Sequence, residues 1–310
     1  MSLSEKEQLI YREFSRVTPD AEPCFAPFFE KNLFGDTTFS LFCAWEDRFR
    51  YAYRQWEKTV AVLEHGLEDR LSCILLWEEE AEFRAAAAEL YRLFRETGLP
   101  LYFEYVRESE LPMYLRAAGE IGEGVEVRSF WDSSDYIYER DEFLALEGRR
   151  NKGKRGDVNS LMRQYPELHV EFHGAGGRDL REDCLRVFDH WCSAHDCENC
   201  VYGCERKAFS RFLELVDEKR FCLAASFAED EPMSFAACER IGPELDCYHF
   251  QKNARPIRGL TYWLNREMAL ARRSARYINL AEDMGLPGLR QDKMGLHPCR
   301  LEAKYTVQFL

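Results

Sequence analysis

The 310-residue chain has no surplus of positive charge: 55 acidic residues stand against 42 basic ones, a net charge of −13. A surface that coats nucleic acid is thereby disfavoured, because neutralising phosphates needs a field of Lys and Arg. A local basic patch can still hold a phosphate-bearing substrate. The chain also lacks any run of 18 apolar residues, so no segment reads as a membrane-spanning helix. Its first residues, Met1-Ser-Leu-Ser-Glu-Lys-Glu7, contain no apolar signal-peptide core. Twelve cysteines without an export signal point to the cytoplasm, with the thiols reduced. A residue-level repeat is missing too. What is there is globular: 46% hydrophobic and 31% charged residues, in a length that suits two domains.

Periodicity organises the chain. Residues 1–46 read as helical and irregular, broken by Pro19, Pro23 and Pro27. Strands are expected at 51–53, 59–64, 72–77 and 101–105. Between the last two lies a helix at 79–97, where Phe83, Ala86, Ala87, Leu90 and Phe94 share one face. A short helix near 112–118 and extended segments at 125–130 and 136–138 follow. The second half repeats this style. Helices at 179–195 and 207–217 precede three strands, 221–227, 233–239 and 245–250, whose tight turns make an antiparallel meander. A helix at 260–273 leads to strand 277–279, a short helix and a last strand at 301–308. Both halves thus run antiparallel strands, helix, strand, which suggests two copies of one α+β fold. The boundary is expected at Gly148, giving domains 1–148 and 149–310.

The densest chemistry sits after strand 277–279. Asn279-Leu-Ala-Glu-Asp-Met-Gly-Leu-Pro-Gly-Leu-Arg-Gln-Asp-Lys-Met-Gly-Leu-His-Pro298 gathers an amide, two adjacent carboxylates, a lysine and a histidine. Strand-end loops carry sites because a sheet holds them rigidly. The plainer reading is a helix whose Glu282 and Asp283 offset the dipole at one end and Lys293 at the other. Acyl transfer to an amine needs a neutral amine, donors for the tetrahedral intermediate and a proton for the leaving group. Asp283 or Glu282 is the candidate base or ammonium holder, with Lys293 as the third catalytic candidate. His297 faces the same pocket in this reading, and Asn279 orients a carbonyl.

Three further patterns were weighed. The run Gly148-Arg-Arg-Asn-Lys-Gly-Lys-Arg-Gly156 is either a solvated linker or a phosphate grip, with Lys154 and Arg155 as the binding candidates. Asp157 is placed as the cap of a helix starting at Val158. Arg255-Pro-Ile-Arg-Gly-Leu-Thr261 lies at a strand-to-helix junction, where Gly259 with Arg255 and Arg258 suits a phosphate, or is a plain turn. Lys252 precedes that junction. Cys192, Cys197, Cys200 and Cys204 have a spacing compatible with zinc or an iron–sulfur cluster, although Cys192 also continues an apolar helix face. His249, alternating with Cys247 and Leu245, reads as a satisfied core histidine.

The order of elements resembles the acetyltransferase-like fold of the GNAT superfamily. Tyr136-Ile-Tyr-Glu-Arg-Asp-Glu-Phe-Leu-Ala-Leu-Glu-Gly-Arg149 with Lys154-Arg155, His249-Phe-Gln-Lys252, Gly259, Asn265-Arg-Glu267 and the segment Asn279–Lys293 resemble an uncharacterised bacterial family. That family is related to the C-terminal domain of phosphatidylglycerol lysyltransferase. The resemblance implies tandem GNAT-like domains, each a mixed, mainly antiparallel sheet flanked by helices. It implies transfer of an acyl or aminoacyl group from acyl-CoA or aminoacyl-tRNA to an amine or hydroxyl of a small-molecule or peptide acceptor. Two departures stand out: the lipid-modifying enzymes' membrane-spanning domain has no counterpart, and Gly156 follows Arg155 where the family carries asparagine. The alternatives are a non-catalytic binding module on the same fold, for a small polar ligand or a partner protein, and a metal- or redox-dependent protein using the four clustered thiols.

Overall fold

The computed structural model describes residues 3–29, 34–66, 68–174, 178–195, 203–216 and 220–310. The first sheet takes β1 (Ser15–Arg16), β2 (Ala52–Gln55), β3 (Thr59–His65), β4 (Leu71–Trp77), β5 (Leu101–Val106) and β6 (Val125–Ser129). The second takes β7 (Asp135–Glu139), β8 (His169–Phe172), β9 (Phe221–Ala228), β10 (Glu231–Gly242), β11 (Leu245–Asn253), β12 (Tyr277–Asn279) and β13 (Arg300–Glu302). The final strand, β14 (Tyr305–Phe309), returns to the first sheet.

The sheets have one topology. Their orders are β1-β2-β3-β4-β5-β14-β6 and, read from the other edge, β8-β9-β10-β11-β12-β7-β13. Each contains a parallel pair, β4 with β5 and β11 with β12. A helix makes each crossover, as a parallel pair requires: Glu80–Thr97 in the first, Leu260–Ala271 in the second. Glu80–Thr97 buries the expected face of Phe83, Ala86, Ala87, Leu90 and Phe94. It stops at Gly98, whose φ of 67° suits a residue without Cβ. Truncating a buried aromatic such as Phe94 to Ala costs about 3–5 kcal/mol in cores of this kind.

The two sheets exchange their sixth strands. By sequence β7 ends the first half, but it pairs antiparallel with β12 in the second sheet. By sequence β14 ends the second half, but it lies between β5 and β6 in the first. The compact units are therefore 1–134 with 302–310, and 135–301. The observed division precedes β7, whereas the sequence places it at Gly148, because turn composition marks the break in helicity and carries no information on which sheet a strand joins. Likewise the single strand expected at 301–308 is two strands in two sheets. Lys304, a buried residue of the first unit in the short link from β13 to β14, sets its ammonium on Asp36.

A fragment spanning 135–302 retains all seven strands of the second sheet, whereas 149–310 loses β7 from its interior and keeps β14 without its neighbours. The first is expected to give a cooperative thermal transition by circular dichroism and the second none; cooperative unfolding of 149–310 would refute the exchange.

Candidate active site

The motif after β12 is built around β7. Asn279, fully buried, donates from Nδ2 to Asp135 Oδ2 at 2.6 Å and accepts from the Ala281 N–H at 2.7 Å. Tyr136 N donates to the Ala281 carbonyl and Leu280 N to the Tyr136 carbonyl, so the chain stays fastened to β7 after the strand ends. Ala281 and Met284 then adopt left-handed φ values of 57° and 53°, followed by Gly285 at 71°. For residues with a Cβ this costs about 1–3 kcal/mol each, and such strain gathers where a loop must present specific groups. Pro287 opens the helix Pro287–Met294 at a position where its missing N–H costs nothing.

Asp283 is fully buried and saturated. Arg290 Nε and Nη2 reach its two oxygens at 2.8 and 2.9 Å, the Tyr136 hydroxyl donates at 2.5 Å, and the Gly285 N–H at 2.9 Å. Those four donors fill the lone-pair sites of a carboxylate. The Arg290 guanidinium, with Tyr136 and the Gly285 N–H assisting against burial, holds the Asp283 carboxyl down at about 2. Burial, with the Asp283 carboxylate beside it, pushes Tyr136 up to about 12, so the phenol keeps its proton and remains a donor. Asp283 is chemically an anchor for Arg290 and Tyr136, with no site left to accept a proton.

Lys293 differs. Its ammonium donates to the Leu280 carbonyl at 2.7 Å and to the Glu282 carbonyl, closing the loop onto the helix. Its own carbonyl accepts from the Tyr138 hydroxyl at 2.8 Å. Burial pushes the amine down to about 8, with the Asp135, Glu282 and Asp283 carboxylates opposing. A lysine near 8 exchanges its proton at physiological pH, which an ordinary lysine does not. Glu282 contributes its backbone carbonyl here, and its side chain is half-buried.

The other sequence candidates are distributed. Lys154 pairs with Asp292 at 3.5 Å, beside Lys293 on the same helix. His297, at φ 60°, lines a shallow recess with Tyr138, Glu142, Arg150 and Asn151. Arg155 donates to the Leu146 and Gly148 carbonyls, fastening the turn behind the helix Arg140–Ala145. The basic run is no linker: the helix Lys152–Gln164 begins inside it, leaving Arg149, Arg150 and Lys152 exposed. Asp157 lies within that helix rather than capping it, and pairs with Arg258 at 2.8 Å. Gly259, at φ 88°, has the Asp157 backbone 3.0 Å from where a Cβ would stand, so both conformation and contact demand glycine. Arg255 is exposed.

Lys252 is held elsewhere, on Glu205 at 2.8 Å and 4.6 Å above the Trp191 ring. Asn279 pairs with Cys247, five residues before Lys252 on β11, a separation along the strand of roughly 16 Å at 3.3 Å per residue. His249 is the satisfied core histidine expected, its Nε2 3.0 Å from Glu239. Of the clustered thiols, Cys197 and Cys200 lie outside the described residues; among the described residues no three His, Cys, Asp or Glu side chains gather at metal-binding distances. The residues that sequence reasoning missed are Asp135, Tyr136, Tyr138 and Arg290. For the two tyrosines the signal was the alternation Tyr136-Ile137-Tyr138, which puts both phenols on one strand face.

The model of a family described as "Phosphatidylglycerol lysyltransferase, C-terminal" matches residues 31–308, nearly the whole chain. The chain belongs to this family. A conserved protein of unknown function from Bacteroides thetaiotaomicron superposes with a TM-score of 0.83 at 20% identity, over 96% of this chain and 99% of that one. The C-terminal domain of an Agrobacterium fabrum protein described as a lysylphosphatidylglycerol synthetase gives 0.68 at 15%, over 93% and 91%. L-PGS from Bacillus licheniformis gives 0.68 at 12%, over 94% and 92%. At these identities the structures speak for the fold alone. No curated protein sequence matches the chain. The fold is two like sheets of one topology, each flanked by helices, and the family is described as that of a lysyltransferase. Among the described residues no helix is long and apolar enough to cross a membrane.

Two titrations test the electrostatics. Asp283, held below its ordinary value, contributes stability that is present above pH 3.8 and lost as pH falls through 2. Asp283→Asn is expected to forfeit about 2 kcal/mol at neutral pH, with urea midpoints that change less on acidification than those of the parent. Lys293 adds a second rise: between pH 8 and 10.5 the unfolded chain keeps the proton that the folded one has released, so stability again increases with pH. Lys293→Met should remove a rise of about 3 kcal/mol across that interval in parallel urea titrations. Identical slopes in both proteins would contradict a depressed lysine.

Proposed function

We propose that this chain is an aminoacyltransferase, moving an aminoacyl group from the ester of a charged tRNA to an amine or hydroxyl acceptor, with Lys293 carrying the proton. The single observation behind the reading is Lys293 itself, an amine near 8 clamped by two carbonyls of a strained loop. In the reaction the acceptor nitrogen or oxygen attacks the ester carbonyl carbon. The new C–N or C–O bond forms as the old C–O bond to the ribose breaks. The ammonium of Lys293 gives its proton to the departing ribose oxygen, and the resulting neutral amine takes the proton that the acceptor sheds. The lysine ends as it began. Asp283, Arg290 and Tyr136 position the loop, and Asn279 holds its start.

Supporting an ester on tRNA over a coenzyme A thioester is the start of the helix Leu260–Ala271. The Asp157 backbone packs on Gly259 and the Asp157 carboxylate sits on Arg258, so a pyrophosphate approaching that helix end meets an anion. The exposed Arg149, Arg150 and Lys152 offer a polyphosphate backbone fixed charge on an otherwise acidic protein. Met284, Leu286 and Met294, exposed by 39%, 51% and 45%, border the loop and suit an acceptor with an apolar body. The second reading, a binding module without turnover, draws on the saturation of Asp283, which leaves the site without a carboxylate base there.

The deciding assay follows labelled amino acid from a charged tRNA pool into acceptor lipids and small amines, with acetyl-coenzyme A as the parallel donor. Transfer from tRNA alone is expected, and Lys293→Ala should lower its rate by about 10²–10⁴-fold, the usual weight of general acid–base catalysis. Turnover with acetyl-coenzyme A and none with charged tRNA would replace the donor; ligand binding without turnover by any donor would favour the binding module.

A further inference from the structure

β6 is the outer strand of the first sheet, and among the described residues no strand pairs with its far edge. Residues 126–132 are all exposed, including Val127 at 39%, Phe130 at 48% and Trp131 at 58%. Natural sheets usually blunt such an edge with proline, a lysine or a bulge, because its outward N–H and C=O groups template pairing. The edge Gly124-Val-Glu-Val-Arg-Ser-Phe-Trp131 has neither proline nor lysine, and its register against β14 runs without a shift from Val125 to Ser129.

The sequence of the edge is complementary to itself. Laid antiparallel against a second copy with Val127 facing Val127, Glu126 meets Arg128 of the other copy and Arg128 meets its Glu126. Val125 meets Ser129, and Phe130 meets Gly124. Residues 124, 126, 128 and 130 share one face of the strand, so the four charges form an alternating square with a Phe130 ring beyond each end. Within one chain Glu126 and Arg128 already pair at 2.9 Å, so the same atoms need only change partner. The glycine opposite Phe130 matters as well. A Cβ at Gly124 would stand 3.4 Å from Leu310 Cδ1, and Leu310 is 58% exposed. The ring of Phe130 would therefore cover a glycine and rest on an apolar side chain that otherwise faces water, the contact by which aromatics compensate edge glycines.

We propose that the β6 edge is a self-association surface, on which two copies of this chain pair antiparallel about Val127 and join their seven-stranded sheets. The contact is isologous, closes after two copies and leaves no free β6 edge to extend. One strand is a small surface, so the dimer exchanges and responds to concentration. The crossed charges set the register more than the affinity, since exposed ion pairs contribute little. The inference is independent of the proposed activity.

The test is mass by light scattering or sedimentation over a concentration series. The unmodified protein should rise from 36.5 kDa toward twice that mass. Glu126→Arg and Arg128→Glu, both on exposed positions, should each remain at 36.5 kDa at every concentration with unchanged melting midpoints. Mixed in equal amounts they should regain the doubled mass, because an edge bearing two arginines then faces one bearing two glutamates. A parent protein that stays monomeric throughout overturns the proposal, as does a dimer that both substitutions leave intact. A mixture that fails to associate overturns the Val127-centred register.

Discussion

The pairing of β7 with β12 is the constraint on which the rest of this molecule rests. It puts a strand from the end of the first half between β12 and β13, and hands β14 to the first sheet in return. Two copies of one topology are thereby tied by the covalent chain itself. The same pairing holds the candidate site together. Asp135, Tyr136 and Tyr138 all stand on β7, and each holds a different part of the motif: the Asn279 amide, the Asp283 carboxylate and the Lys293 carbonyl. A motif that looks continuous in sequence is in fact folded around a strand more than a hundred residues earlier.

That arrangement explains how, of an acid and an amine only ten positions apart, the acid resists the effect of burial and the amine yields to it. Asp283 loses water but gains four donors, and the balance favours its charge. Lys293 loses water and gains two carbonyls, and burial dominates. The first outcome makes a fixed anchor, the second a group that can exchange a proton. The strain of Ala281 and Met284 is sustained because fastening to β7 at one end and the Lys293 clamp at the other leave the loop no relaxed alternative. A three-charge cluster in the same unit shows the contrast: Asp246 lies between Arg240 and Arg272 with bidentate contacts to both, buried and compensated.

Much of the fold was legible in the sequence because short-range periodicity reports burial directly. The helix at Glu80–Thr97, the β9–β10–β11 meander and the crossover helix Leu260–Ala271 stand where their patterns put them, differing at the ends by a few residues. The motif from Asn279 to Lys293 was recognisable as a dense polar segment, and its Asn279, Asp283 and Lys293 are each bonded to β7. Arg155 and Lys252 were not separable from residues bonded to β7, because a basic side chain looks the same in sequence whether it meets a phosphate, a carbonyl or an aromatic ring.

The sequence alone determined the two α+β halves, the helical and strand periods, the glycine at 259 and the chemical groups available after β12, for these depend on neighbours within a few positions. Tertiary structure decided the rest. Which sheet receives β7 and which receives β14 is a choice between equivalent edges, settled by packing over the whole unit. Which carboxylate stays charged and which lysine is depressed depends on donors and burial supplied by residues far along the chain. Asp283 reads as a base in the sequence and stands as an anchor in the structure, because Tyr136 and Arg290 reach it only once β7 is in place.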